Sequence, residues 1–297
     1  MSDTVVLAVA DSTDNTLRLR AMTVETVMKQ YSWANCPENV RIQVSSIVAE
    51  LAEILGASLI GIYLHGSLAM GCFSPASSDL DLLVVTTSPM PAELKRRVAE
   101  SLLRLSGAPQ EVELSIIAES QLYPWEHPTA YDFHFSESHR ARLLDDLQTD
   151  KWREWNAQSS WDADLAAHIT VAQLRGISLH GEPISLVLPL IPASDYADSI
   201  VTDLWWARTR AEEDPARNGV YFVLNACRVY AYLLDGFITS KDEGAVWALG
   251  VLPEQHQALV LRALEIYRGV RPPAEFDPAG LDTFIQYIHD QVKVFVS

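Results

Sequence analysis

The sequence has few cysteines and no long apolar run. Its three cysteines, Cys36, Cys72 and Cys227, are an odd number without C-x-x-C spacing, which predicts neither a disulfide framework nor a structural zinc site. No apolar stretch reaches the roughly 18 residues that a membrane-spanning helix needs. The N-terminus lacks the basic start of a signal peptide. We therefore expect a cytoplasmic protein with no membrane partner.

Basic residues are also scarce. The chain has 22 lysines and arginines against 39 aspartates and glutamates, a formal net charge of -17. Proteins that bind the nucleic-acid backbone normally carry a basic surface, so we expect no nucleic-acid partner. A small cationic substrate suits this charge, although an acidic surface also serves solubility alone. We expect the protein to act as a monomer.

The first two thirds of the chain mix helical and strand patterns. Residues 1–35 are a polar extension with weak periodicity, expected to be partly mobile. Two segments then have apolar residues at helical spacing, NVRIQVSSIVAELAEILG and PAELKRRVAESLLRLSG. Three more are typical of buried strands, SLIGIYLHG, DLDLLVVTT and EVELSIIAES. The order helix, strand, strand, helix, strand predicts an α/β domain with a small mixed sheet flanked by helices.

The last third is different, because almost every segment has helical periodicity from residue 195 onward. Prolines at 183, 189 and 192 mark the best candidate for a junction between the two patterns. We therefore predict two domains. The α/β domain comprises residues 1–191, including the extension, and an all-α domain comprises residues 192–297.

One stretch carries the clearest chemistry, LHGSLAMGCFSPASSDLDLL. Asp79 follows Ser67 by twelve residues, and Asp81 follows two residues later. Residues two apart in a strand share one face, about 6.6 Å from each other, so these carboxylates should point to one spot. Acids among apolar residues are costly unless they bind a cation, and carboxylates hold Mg²⁺ beside substrate phosphates. Gly66 lets backbone approach a phosphate closely, and the Ser67 hydroxyl can bond to one.

A third acid is expected on a neighbouring strand, because transfer of a phosphoryl or nucleotidyl group needs a base or a second metal for the attacking hydroxyl. The segment VELSII supplies Glu113, which shares a strand face with Ser115. We therefore expect Asp79, Asp81 and Glu113 to form one metal site.

The ordered set HGSLAMGCFSPASSDLDLL and VELSII resembles the signature of polymerase-β-like nucleotidyltransferases. YPWEHP and LNACRVYAYLLDGFITSKDEGAVWAL resemble the streptomycin/spectinomycin adenylyltransferases among the aminoglycoside nucleotidyltransferases. This similarity covers roughly residues 50–290. It implies a nucleotidyltransferase domain followed by a helical domain that closes over the substrates. It also implies a Mg²⁺-dependent enzyme that transfers AMP from ATP to an aminoglycoside hydroxyl and releases pyrophosphate.

The resemblance also assigns roles to residues. It implies that Gly66, Ser67 and Ser78 bind the nucleotide, that Asp79 and Asp81 hold Mg²⁺, and that Glu113 is the base. Arg228 and Lys241 would reach the phosphates from the helical domain. A cation in the apolar helix around Arg228 needs an anionic partner, and an internal salt bridge is the alternative. Lys241 is predicted in a loop between helices, where a solvated lysine is the alternative.

The acceptor is expected between the domains. Its candidate residues are aromatic or acidic: Trp205, Trp206, Glu212, Glu213, Asp214 and Glu137. Core tryptophans and a solvated helix end are the alternatives. One departure weakens the assignment of streptomycin, because the related enzymes carry a tryptophan where this chain has Ser138. The histidines show no ligand spacing and are interpreted as structural or exposed.

Two other functions fit parts of the pattern. A nucleotidyltransferase of this fold can act on another metabolite or on a protein side chain, and a protein acceptor needs an open face. A catalytically silent nucleotide-binding regulator is the second alternative. The intact acids count against it, because binding alone does not need Glu113.

Overall fold

The computed structural model describes residues 8–9, 18–19, 30–272 and 276–296, so most of the predicted extension lies outside the described residues. The strands are β1 (Ala8–Val9), β2 (Arg18–Leu19), β3 (Leu59–Leu64), β4 (Leu80–Thr86), β5 (Val112–Ala118), β6 (Thr129–Tyr131), β7 (Phe133–Phe135), β8 (Ser160–Asp162) and β9 (Ile177–Gly181). The α-helices are α1 (Glu38–Leu55), α2 (Gly66–Met70), α3 (Ala92–Leu105), α4 (Glu119–Leu122), α5 (Arg140–Gln148), α6 (Leu165–Arg175), α7 (Ile184–Val187), α8 (Ala193–Glu213), α9 (Pro215–Asp235), α10 (Lys241–Val251), α11 (Glu254–Tyr267) and α12 (Pro278–Val296).

A five-stranded sheet in the order β7-β5-β4-β3-β9 lies in the part of the chain before α8, which is called the first half of the molecule below. Strands β4 and β5 are parallel, and the other neighbours are antiparallel, which confirms the predicted mixed sheet. The three predicted strands are its centre. The edge strands β7 and β9 have only three and five residues, too few for a clear period-two pattern in the sequence.

The two faces of this sheet have different neighbours. Leu80, Leu82 and Leu114 belong to one core, which they share with residues of α1 and α3. Leu83 and Ile117 point the other way and pack with residues of α6 and α7. Because side chains alternate along a strand, the acids at the start of β4 and β5 lie on this second face.

Helices α8, α10, α11 and α12 pack around α9, ten of whose 21 residues are buried, and the five helices share a separate core. This confirms the predicted helical domain, while the boundary between residues 191 and 192 stays a prediction. Helix α10 packs closely on α9 at Gly244. A Cβ at this position would lie only 2.8 Å from the Cα of Arg228, so the close packing requires glycine. Among the residues described, no helix is long and apolar enough to span a membrane.

Lys241 is the first residue of α10, so its predicted position within a loop was wrong. The helix begins there because Ser240 accepts a hydrogen bond from the backbone N–H of Glu243, and Glu243 accepts one from the N–H of Ser240. This capping box starts a helix, and its sequence, S-K-D-E, fits the pattern.

Hydrogen bonds join two helices of the helical domain, α8 and α10, to the first half of the molecule. The Arg175 guanidinium at the end of α6 donates to the Met70 carbonyl and to the Glu243 carboxylate, at 3.1 and 3.2 Å. The Trp125 indole donates to Asp195 in the first turn of α8, at 2.8 Å. These contacts place the start of α10 over the acidic edge of the sheet.

Candidate active site

The turn after β3 brings backbone against Asp81. Gly66 has φ +62°, and a Cβ there would lie 1.7 Å from Oδ2 of Asp81, so no other residue fits without displacing this carboxylate. The Ser67 N–H donates to the Asp81 carboxylate. The Ser67 hydroxyl is buried and has no hydrogen-bond partner. The turn therefore fixes one acid and leaves one buried donor free for a ligand.

The three predicted metal-binding acids come together. One carboxylate oxygen from each of Asp79, Asp81 and Glu113 lies within 4.8 Å of the other two. Asp81 and Glu113 are direct neighbours across the parallel β4–β5 pair. Asp79 precedes β4 by one residue, so the expected strand position was wrong for this acid although its convergence with Asp81 was right.

Repulsion within this group is strong. Burial raises the pKa of Asp81 well above its ordinary value, and the neighbouring Asp79 and Glu113 raise it further. Burial likewise raises the pKa of Glu113, with Asp79 contributing. A partly exposed cluster of carboxylates with a free serine hydroxyl beside it suits a hard cation that carries a phosphate, so the residues present fit Mg²⁺ with a nucleotide.

Ser78, predicted to bind the nucleotide, is buried directly before this acid cluster. Its hydroxyl accepts the Ser74 N–H at 3.1 Å and is also hydrogen-bonded to the Tyr267 side chain. Ser78 is therefore held by both halves of the molecule, and its contact with nucleotide stays a prediction.

The two predicted cations approach from the helical domain. The positive charge of Lys241 favours ionisation of both Asp81 and Glu113, which places it opposite the acids. Its Nζ lies 4.4 Å from the centre of the Tyr221 ring. Arg228 forms an internal ion pair, which was the alternative to phosphate binding: its Nη2 lies 3.4 Å from Oδ2 of Asp203. Its Nε, however, is buried without a hydrogen-bond partner.

Two acids near Glu113, Asp162 and Asp164, were not predicted from the sequence. Burial raises the pKa of Asp164 to about 6, and the facing Asp203, Asp162 and Glu113 add to the effect. Among the residues described, no ion pair or side-chain hydrogen bond reaches the Asp164 carboxylate. Asp162 and Asp164 form a second D-x-D pattern, which could have indicated these acids. The same pattern is equally typical of the start of a helix, here α6.

The interpretation of the histidines as structural or exposed was incomplete. The His168 ring on α6 lies 5.0 Å from that of the buried His65, which precedes the Gly66 turn. His168 also favours the charged form of Glu113. The histidines therefore include two residues at this site, although spacing along the chain gave no sign of it.

The two predicted acceptor tryptophans have different environments. Trp205 is half-buried and packs edge-on against His289 of α12, so it contributes to the helical core. Trp206 is 57% exposed, and its ring meets the Tyr221 ring at a centroid distance of 6.4 Å. Only Trp206 therefore adjoins the residues around Lys241.

The acids at the end of α8 have local contacts. Glu212 pairs with Arg208 at 2.8 Å. Asp214 caps α9 by accepting the Arg217 N–H at 3.1 Å, and Glu213 is exposed. These contacts explain the acids without a ligand, and their role in acceptor binding stays a prediction.

Glu137 lies away from the acid cluster. Its carboxylate binds Arg140 and the Ser106 hydroxyl, beside the end of α3. Helix α3 packs on the opposite face of the sheet from Glu113, so the structure does not bring Glu137 to this site. Ser138 next to it is exposed and bonds to Ser136 at 2.7 Å.

The fold and the acid cluster define a nucleotidyltransferase joined to a helical domain. The sequence model described as "Nucleotidyltransferase domain" matches residues 44–146, and "Aminoglycoside adenylyltransferase, C-terminal domain" matches residues 186–291. A spectinomycin 9-adenylyltransferase of Staphylococcus aureus is 31% identical over 237 residues, 78% of this chain and 85% of that protein. The chain belongs to the aminoglycoside adenylyltransferase family and is an enzyme of this nucleotidyltransferase type.

One further relative and one solved structure are also similar to the chain. An aminoglycoside (3'') (9) adenylyltransferase of Klebsiella pneumoniae is 26% identical over 265 residues, 86% of this chain and 96% of that protein. A spectinomycin adenyltransferase from Enterococcus faecialis, solved with ATP and spectinomycin, has the same fold with a TM-score of 0.72 and 23% identity. That alignment covers 85% of this chain and 99% of the solved chain.

Proposed function

We propose that the enzyme transfers AMP from ATP to a hydroxyl of an aminoglycoside, with Mg²⁺ bound and with release of pyrophosphate. The observation that carries this proposal is the convergence of Asp79, Asp81 and Glu113 beside the free Ser67 hydroxyl and opposite Lys241. Acids for a metal, a donor for phosphate and a facing cation are what a metal-bound triphosphate requires.

The nucleotide half of the site divides its tasks among these residues. Asp79 and Asp81 would hold Mg²⁺, with Glu113 at its edge. The bound ion would offset charge on the triphosphate as the reaction proceeds. The Ser67 hydroxyl donates a hydrogen bond to a phosphate. Lys241 and the free Nε of Arg228 supply positive charge from the helical domain, across the cleft between the two halves of the molecule.

Glu113 is the base in this proposal. Burial raises its pKa, which makes its carboxylate a stronger base than that of an exposed glutamate. The carboxylate takes the proton of the acceptor hydroxyl, and that oxygen forms a bond to the α-phosphorus of ATP. The bond from this phosphorus to the oxygen bridging the α- and β-phosphates breaks, and pyrophosphate leaves.

The acceptor site lies beside Glu113, between Asp162 and Asp164 of the first half and the facing helical domain. Burial raises the pKa of Asp164 most, and the neighbouring acids raise it further, so its charged form is costly without a cation. An ammonium group of an aminoglycoside would remove it. We therefore assign the cationic part of the acceptor to Asp162 and Asp164.

Spectinomycin is the acceptor that we propose to be preferred over streptomycin. It is named for the relatives from Staphylococcus aureus and for the solved chain of the same fold. Action in the cytoplasm and as a monomer remain predictions.

The test is a panel of aminoglycosides with ATP, GTP, CTP or UTP, scored by pyrophosphate release and product mass. We expect spectinomycin and ATP to give equal amounts of pyrophosphate and an AMP adduct, and chelation of Mg²⁺ to stop both. Turnover of none of the drugs would reject the proposed acceptor and favour another metabolite or a protein. ATP binding without any transfer would favour a silent nucleotide-binding regulator.

A further inference from the structure

Asp203 of α8 lies at the centre of a buried hydrogen-bond network in the helical domain. Its side chain is only 14% exposed. Both carboxylate oxygens accept from the Tyr221 hydroxyl, at 3.1 and 3.2 Å. Oδ2 also accepts from Nδ2 of Asn225 at 2.9 Å and from Nη2 of Arg228 at 3.4 Å. One carboxylate therefore binds three residues that follow each other at helical steps along α9.

Two routes lead from this carboxylate, one to Arg228 and one to Lys241, the cation that acts on the acid cluster. Asn225 donates to Asp203 through Nδ2 and accepts from Nη2 of Arg228 through Oδ1, at 2.6 Å. The bond to Asp203 thus fixes the amide orientation that presents an oxygen to Arg228. The second route is through Tyr221, whose hydroxyl binds Asp203 and whose ring lies under Nζ of Lys241 at 4.4 Å.

We propose that Asp203 is a positioning residue that holds Arg228 and Lys241 in the orientation that meets the triphosphate. The proposal rests on the nucleotide site proposed above. Asp203 acts through Asn225 and Tyr221, and it need not touch the nucleotide itself. The guanidinium of Arg228 keeps its Nε free, so binding to Asp203 and Asn225 through Nη2 leaves a donor for phosphate.

The charge of the network supports this role. An arginine in an apolar helix is unstable without an anionic partner, and Asp203 supplies one when no nucleotide is bound. Asp203 itself is unsuited to hold the acceptor, because Tyr221, Asn225 and Arg228 already occupy its oxygens. Asp164, which faces it across the cleft, has no such partners among the described residues and is the better acceptor ligand.

The test is the affinity of the Asp203→Asn variant for a non-hydrolysable ATP analogue, measured calorimetrically with Mg²⁺ and without an acceptor. Asparagine keeps the shape but puts an NH₂ group where donors now converge. We expect affinity to fall about tenfold, the size seen when groups that orient metal ligands are removed. In steady-state kinetics the KM for ATP should rise, while the KM for spectinomycin changes by less than about twofold.

Two matched variants separate positioning from a general effect of charge or folding. Asp282→Asn removes the same charge from an exposed position on α12 and should leave nucleotide affinity unchanged. Tyr221→Phe keeps the ring under Lys241 but loses the bond to Asp203, and should weaken binding less than Asp203→Asn does. Tyr221→Phe removes only a hydroxyl group and is less disruptive to folding. This variant therefore tests the proposal even if Asp203→Asn does not fold.

A double-mutant cycle tests the route through Asn225. If Asp203 acts on Arg228 through that amide, Asp203→Asn with Asn225→Ala should weaken analogue binding by less than the product of the single effects. Multiplicative losses would overturn this route. Unchanged affinity in both Asp203→Asn and Tyr221→Phe would overturn the proposal, and so would tighter binding in Asp203→Asn, which would make Asp203 a competitor of the triphosphate.

The outcome also distinguishes this inference from the proposed function. Analogue binding needs no acceptor, so a wild-type chain that binds the analogue but modifies no aminoglycoside would reject the acceptor and leave the result on Asp203 intact. A wild-type chain that binds no ATP analogue would overturn both.

Discussion

The sheet and the helical domain contribute opposite charges to the cleft, and they hold those charges by different means. The acids are fixed by backbone: Asp81 and Glu113 are register partners in β4 and β5, and the Gly66 turn leaves no space around Asp81. The cations Arg228 and Lys241 are fixed by side chains, through Asn225, Tyr221 and Asp203. The acidic half is therefore the rigid one, and the basic half depends on a hydrogen-bond network.

The largest effect is expected from a substitution in the acidic half of the cleft. Glu113→Gln removes the base without changing the shape of the side chain, and AMP transfer should fall by about 10³-fold, since a positioned base is worth roughly 10² to 10⁴. Affinity for ATP should change far less, because the other acids and the cations remain. Rates of pyrophosphate release at saturating substrates measure this.

Stability provides the control for that variant. The pKa of Glu113 is raised in the folded chain, so its charged form costs stability at neutral pH, and this cost falls as pH drops through the folded pKa. In buffer without Mg²⁺, Glu113→Gln should therefore have a thermal midpoint at or above that of the wild type. A lower midpoint together with lost activity would indicate misfolding.

The next largest effect is expected from removing a positive charge in the basic half of the cleft. Lys241→Met keeps the length of the side chain but removes the charge that faces Asp81 and Glu113. We expect the KM for ATP to rise about 10- to 100-fold, because a charge-assisted contact to phosphate is lost. Lys293→Met, at an exposed position on α12, is the matched control and should behave like the wild type. Equal KM values in both variants would show that Lys241 is the solvated lysine of the alternative interpretation.

A smaller effect should appear in the acceptor half of the cleft. Asp164→Asn should raise the KM for spectinomycin about tenfold and leave the KM for ATP unchanged, because one charged contact is lost. Since the pKa of Asp164 is about 6, its carboxylate is protonated below that pH. The acceptor KM of the wild type should therefore rise as pH falls through 6, whereas that of Asp164→Asn should lack this rise. Parallel pH profiles would rule out this carboxylate.

The smallest effect concerns the acids at the end of α8. Asp214→Ala removes the cap of α9 and should lower the free energy of unfolding by about 1 kcal/mol. If its role is only structural, the KM for the acceptor stays within about twofold of the wild type. A clear increase in that KM would instead support the acceptor role predicted from the sequence.

Much of the acidic half was predictable from the sequence, because its signals are local. The run from Gly66 to Asp81 spans one turn and one loop, and Glu113 stands out as an acid inside an apolar strand. Alternation along strands then indicated which residues share a face. The class of enzyme and the two kinds of domain followed from the ordered set, and the comparisons confirm both.

The basic half and the acceptor side were less predictable, because tertiary contacts define them. The partner of Arg228 is Asp203, 25 residues earlier in a different helix. Asp164 and His168 reach the cleft because α6 packs across the sheet, and Asp162 lies in the short strand β8 just before that helix. Glu137 lies two residues after the end of the short edge strand β7, and the sequence gave no sign that its side chain turns to the opposite face.

The most direct test of the account is a crystal structure of the enzyme with Mg²⁺ and a non-hydrolysable ATP analogue. We predict a metal ion held by Asp79 and Asp81, with the triphosphate between the Ser67 hydroxyl on one side and Lys241 and Arg228 on the other. A triphosphate bound against one half alone, or a metal ion away from these acids, would contradict it.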